Sequence, residues 1–309
     1  MSDGPDAAAA RDFVGYGESP PHAQWPGGAR VALSLVLNYE EGGEHAVPDG
    51  DGHSENMSVE VVGAPPVPGR RIPLYESMYE YGSRAGFWRV HRELTQRGPP
   101  LTVFAVGQAL ARNPEAAAAM ARAGWEVTGH GWRWIDYADM AEADEREHIR
   151  RTNETIERLC GQRPTGWFTG RTSLATRRLA AELGATYDSD SFADDLPYWV
   201  EAAGRPHLVL PYSLDANDFK FLQPNGFTGG GDFERYLVDT LEQLVGEGAA
   251  PGGVPRLMSV GLHPRIVGRP GRMRGLARFL DHVAGRSDVW VATRGEIARH
   301  WAATHPPQG

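Results

Sequence analysis

One cysteine, Cys160, and one lysine, Lys220, are what this 309-residue sequence has least of. A single thiol excludes an internal disulfide frame and a cysteine-built metal cluster. Its surroundings, "IERLCGQRP", read as a helix end, where a buried, inert thiol is expected rather than a nucleophile. A single lysine leaves one amine for Schiff-base chemistry, and that role is not expected of it; arginine supplies the rest of the 31 basic residues. No apolar run approaches the roughly 18 residues of a membrane helix. The opening "MSDGPDAAAARDF" carries two early acids and lacks the basic region and apolar core of a secretory leader. A cytoplasmic protein without a membrane segment is therefore the expectation. A net charge of −9 argues against a nucleic-acid or anionic-membrane partner. Phosphate-binding loops, dinucleotide fingerprints and the G-x-S-x-G elbow are missing as well.

What is present is an ordinary globular composition, 41% hydrophobic and 23% charged. Residues 1–29, rich in proline and glycine, read as an N-terminal arm, and 30–309 as one domain. The segment "VALSLVL" opens a series of short apolar runs: "LTVFAVG", "WEVTGH", "GWFTGR", "ATYDSD", "HLVLPYS", "LMSVGLH" and "VWVATR". Helical patterns separate most of them. Asn113-Pro114 opens one helix and Gly124 closes it. Ser173 is placed to cap "LATRRLAAEL". Short buried strands alternating with helices predict an α/β fold with a parallel sheet, and about eight strands favour an irregular β/α barrel over an open sheet.

In such a barrel the reactive groups gather at the carboxyl ends of the strands. Here almost every apolar run ends in polar residues: Tyr39-Glu40-Glu41, His130, Arg171, Asp188 and Asp190, Asp215 and Asp218, His263, and Arg294. Glu40 and Glu41 are candidate acid or base groups, although neighbours in an extended chain point to opposite faces. His130, between two glycines, and His263, two residues after one, could hold a metal, move a proton or bind an oxyanion. Arg171 could grip a carbonyl or carboxylate through its planar fork. The aspartate-dense "YDSDSFADDLPYW" lacks calcium-loop spacing, so ordering of the site by hydrogen bonds is expected there rather than metal binding.

These segments resemble the polysaccharide deacetylase superfamily (carbohydrate esterase family 4, NodB-like). The family's T-F-D-D-G is matched by Asn38-Tyr39-Glu40-Glu41-Gly42, and its H-[ST]-x-x-H by His130-Gly131-Trp132-Arg133-Trp134. Its later arginine, aspartate-rich and L-x-H motifs are matched by Arg171, by "YDSDSFADDLPYW" and by "GLH" at His263. The resemblance implies an irregular barrel of seven or eight strands. It also implies where the chain departs. Typical members bind zinc through the second aspartate and both histidines, whereas Glu41 and Trp134 stand at two of those positions here. Indole offers no lone pair to a metal, and a catalytic zinc needs about three protein ligands. No cofactor is therefore expected, with zinc as a remote alternative.

"VLNYEEGGE", "YEYGSRAGFWR", "HGWRWIDY", "LDANDF" and "GLHPRIVGRPGR" are similar to the metal-independent allantoinases of this superfamily, with cyclic imide hydrolases as close kin. That resemblance implies a hydrolase opening the ring of a small cyclic ureide or imide, and relatives that assemble as tetramers. A metal-dependent amino-sugar N-deacetylase is the alternative. Glu40, Glu41, His130 and His263 become the expected catalytic groups. Tyr39, Trp134, Arg171, Asp190 and Asp218 are expected to bind the substrate.

Overall fold

The computed structural model describes residues 11–61 and 63–307. Nine strands form one sheet: β1 (Val31–Tyr39), β2 (Thr102–Ala105), β3 (Glu126–Gly129), β4 (Gly166–Trp167), β5 (Tyr187–Asp188), β6 (Tyr198–Ala202), β7 (Arg205–Val209), β8 (Arg256–Leu262) and β9 (Val289–Val291). The order runs β6-β7-β5-β4-β3-β2-β1-β8, and β9 adds to the lower half of β1. All the pairings are parallel except that of β6 with β7. The eight parallel strands are those the apolar runs predict. The antiparallel β6 is an addition that the mixed sequence "YWVEA" does not announce.

β1 is buried along all nine residues, as a near-continuous apolar run requires when both faces of a parallel strand are covered. Nine α-helices complete the described fold. They are α1 (Pro73–Tyr81), α2 (Phe87–Arg97), α3 (Gly107–Arg112), α4 (Pro114–Arg122), α5 (Glu142–Cys160), α6 (Thr176–Glu182), α7 (Gly230–Ala249), α8 (Pro270–Val283) and α9 (Arg294–Thr304). Asn113 caps α4 through its side-chain oxygen, which accepts from the Ala116 N–H at 3.1 Å. Ser173 does not cap α6. That helix begins later, at Thr176, and the Ser173 hydroxyl donates instead to buried Glu145 of α5.

No strand pairing closes the barrel between β7 and β8. The chain after β7 fills that gap: Asn217 bridges Gly261, and the Gly261 N–H donates to the Ala216 carbonyl at 3.0 Å. Arg294, fully buried, spans the same gap. It donates to Ser189 and Ser259 hydroxyls, each at 2.9 Å, and to the Leu210 and Pro211 carbonyls. It follows the carboxyl end of β9, but that short strand reaches only the lower half of β1, so Arg294 closes the barrel interior and is not part of the strand-end cluster. Residues 11–29 lie under the barrel floor, with Trp25 packed against Trp290 and Trp301. No helix among the described residues is long and apolar enough to cross a membrane.

Candidate functional site

The alternation of β1 decides which side chains enter the barrel. Asn38 points inward, where its amide donates to the Tyr212 hydroxyl at 2.9 Å. Tyr39 points outward to the helices and packs edge-on against Phe87. Its expected place in the pocket wall is thus lost to a period of two. Glu40 returns to the inner face and Glu41 turns toward α1.

His130 follows β3, held between two glycines for steric reasons. A Cβ on Gly129 would lie 2.1 Å from the Trp167 ring, and Gly131 adopts φ +77° with the Tyr137 hydroxyl close by. The His130 ring stacks on Phe168. Its Nδ1 faces the Phe168 carbonyl at 2.9 Å and its Nε2 faces Glu40 Oε1 at 3.1 Å. A carbonyl oxygen only accepts, so Nδ1 carries hydrogen.

From the opposite side, His263 Nε2 lies 3.5 Å from the same Glu40 oxygen. Asp218 orients that ring: its Oδ1 is 2.6 Å from His263 Nδ1, and its Oδ2 accepts the His263 and Val267 backbone N–H groups. Burial alone would strip the His263 proton, but Asp218 and Glu40 outweigh it and raise the pKa to about 9.

The third partner of Glu40 is Arg265, which the motif reading passed over. Its Nη2 lies 2.6 Å from Glu40 Oε2. The backbone N–H of Arg265 donates to Glu41 Oε1 at 3.1 Å, so Glu41 positions the arginine. Burial pushes the Glu40 carboxyl up, yet Arg265 and His263 hold it well below its ordinary range. Glu41 moves the other way: burial raises it, only partly opposed by Arg265, and the Glu40 charge adds to the rise. The two adjacent carboxyls are therefore pushed apart, one ionised and one inclined to keep its proton.

Trp134 lies over this cluster between two guanidinium groups, Arg171 at 3.8 Å and Arg265 at 5.4 Å from its ring. The insertion between β1 and α1 covers the rest. Its Ser58 carbonyl meets Arg265 and its Glu55 meets Arg171. Glu40, His130 and Arg265 are each at most 2% exposed under that cover.

Other expected residues lie elsewhere. Asp190 holds the loop leading to Arg171, accepting the Thr169 and Gly170 N–H groups, and touches neither histidine. Burial and the Asp188 charge push its pKa to about 7. Asp188 pairs with Arg177 and His207, and Asp215 with Lys220. Polar residues at those strand ends thus serve local ion pairs.

The donor set does not suit a catalytic zinc. Glu41, at the family's metal-aspartate position, is engaged by Arg265, whose guanidinium already neutralises Glu40. Trp134 has no lone pair to give. Among the described residues no group of three or more His, Cys, Asp or Glu is arranged to hold a metal.

Residues 73–187 match the family model for polysaccharide deacetylase. A Schizosaccharomyces pombe protein described as a polysaccharide deacetylase is 40% identical, over 96% of this chain and 98% of its own. The chain belongs to the polysaccharide deacetylase family. Two solved structures are closely similar to this family member. One is a Pseudomonas aeruginosa PAO1 protein described as a polysaccharide deacetylase, at 51% identity over 97% of this chain and 100% of that one, TM-score 0.93. The other is PuuE allantoinase, at 50% identity over 97% of this chain and 99% of that one, also TM-score 0.93. Membership in the deacetylase family implies a hydrolase acting on carbon–nitrogen bonds.

Proposed function

We propose that this protein hydrolyses the ring C–N bond of a small cyclic ureide, as an allantoinase that uses no metal. The observation that supports this most is the site's charge arrangement. One buried carboxylate, Glu40, is shared by two histidines and an arginine, and tryptophan replaces the metal-binding histidine. The 50% identity to PuuE allantoinase agrees with it.

In this mechanism water adds to the ring carbonyl carbon. Glu40 takes its proton, with His130 sharing it across their 3.1 Å contact. His263 and Arg265 meet the developing oxyanion with charges that are already in place. A carboxylate ion-paired to two cations is a poor base at rest. As charge builds on the carbonyl oxygen, it competes with Glu40 for those fixed cations, and Glu40 becomes more basic as the proton arrives. The ring C–N bond then breaks, the nitrogen leaves with the proton held by Glu40 and His130, and a carboxylate product remains. Trp134, stacked under Arg171, offers a flat face to a ring bound above the cluster. Entry requires the insertion after β1 to lift.

The test is a parallel assay of allantoin, hydantoin, succinimide and N-acetylglucosamine oligomers. Opening of allantoin above the others supports the reading. Preference for succinimide would make the protein a cyclic imide hydrolase, and release of acetate from the oligomers would overturn the reading.

A further inference from the structure

Eight buried side-chain nitrogen or oxygen atoms among the described residues lack a hydrogen-bond partner. Five of them belong to Glu40, to Arg265 beside it, and to three residues packed around Arg265 and Arg171: Glu40 Oε2, Arg265 Nη2, Ser58 Oγ, Tyr79 Oη and Glu55 Oε2. The first two face each other as an ion pair at 2.6 Å. The other three have no part in the chemistry above. Leaving polar atoms buried and unpaired costs free energy, so their grouping at one place calls for a ligand.

Arg265 ties Tyr79 and Ser58 to Glu40, and Arg171 holds Glu55. The Arg265 guanidinium carbon lies 4.5 Å from the centre of the Tyr79 ring, and its Nε is 3.4 Å from the Ser58 carbonyl. Glu55 Oε1 is already engaged, accepting the Asn56 and Met57 N–H groups at 3.0 and 2.8 Å. Its Oε2 is left 3.7 Å from Arg171 Nη1, beyond hydrogen-bond range. Burial holds the Tyr79 phenol protonated, as a donor.

The cluster therefore offers two hydroxyl donors and one carboxylate acceptor, beside the centre where a ring would react. We propose that Tyr79, Ser58 and Glu55 form a subsite for the exocyclic ureido arm of a cyclic ureide. Tyr79 and Ser58 donate to the arm's carbonyl oxygen, and Glu55 accepts from its N–H groups. A bare ring leaves the two hydroxyls without a partner and Glu55 with only its 3.7 Å ion pair to Arg171, so the subsite favours the substrate that carries the arm. This inference rests on the cyclic-ureide reading of the site.

The experiment compares wild type, Tyr79→Phe and Glu55→Gln on allantoin and on hydantoin, the same ring without the arm. The quantity read is the preference for allantoin, as a ratio of kcat/KM values, or of Ki to KM if hydantoin only competes. Both variants should lower that preference about ten-fold or more, chiefly through KM for allantoin, with unchanged melting temperature. An unchanged preference, whether activity falls equally on both rings or not at all, would overturn the subsite while leaving the reaction standing. A wild type that opens neither ring overturns the reaction and the subsite together.

Discussion

Arg265 Nη2 and Glu40 Oε2 face each other at 2.6 Å inside a closed barrel mouth, and this pair occupies the neighbourhood where the family resemblance implies a metal. Removing the cation should strand a buried carboxylate. Arg265→Met is expected to raise the Glu40 pKa, to cost about 3–5 kcal/mol of stability, and to lower kcat about 10²–10³-fold through loss of an oxyanion partner. Chemical denaturation and steady-state kinetics measure both.

The two adjacent glutamates should separate cleanly. Glu40→Gln removes the group that takes the proton and is expected to lower kcat about 10²–10⁴-fold. Glu41→Gln keeps an acceptor for the Arg265 N–H, and its loss should stay within about ten-fold. Equal losses would show that Glu41 shares the chemistry.

His263 should make stability depend on pH. Its folded pKa of about 9 lies above the ordinary histidine value of 6.5. A raised histidine stabilises the fold fully below the unfolded pKa, and that contribution disappears as pH rises through the folded one. Melting temperature should therefore decline between about pH 6.5 and 9, and Asp218→Asn should flatten that decline. Turnover should fall on the same alkaline limb as the imidazolium is lost.

Arg294 is the fold's counterpart of Arg265. Arg294→Met leaves the Leu210 carbonyl and the Ser189 hydroxyl without this donor in the barrel interior, and leaves Ser259 and the Pro211 carbonyl only their mutual 3.4 Å contact. At about 1–3 kcal/mol for each stranded group, without full additivity, a loss of several kcal/mol is expected in urea titrations. Kinetic constants of the remaining folded fraction should hardly move.

Much of this molecule is legible in its sequence. The eight parallel strands follow from apolar runs that must be covered on both faces, and Glu40, His130 and His263 follow from polar residues at their carboxyl ends. Asp218 was expected to bind substrate, but both of its oxygens are taken by His263 and the Val267 N–H, so it orients the histidine instead. The errors have equally local causes. Tyr39 was expected in the pocket although a strand that points Glu40 inward must point its neighbour out. Asp188, Asp215 and Arg294 also end apolar runs, but each answers to a nearby ion pair or to the barrel gap. Arg265, Glu55 and Tyr79 were missed because no periodicity marks them. One sits two residues past a motif histidine, one in an irregular insertion, and one on a helix whose register only the fold reveals.

The central claim is that Glu40, held by His130, His263 and Arg265, does the work done elsewhere by a metal-bound water. The most direct measurement is kcat/KM for allantoin on protein dialysed against a strong chelator, with metal content determined on the same sample. The account predicts undiminished turnover at well under one metal per chain, and no gain when zinc is restored. Turnover that disappears with the metal and returns in proportion to added zinc would contradict it.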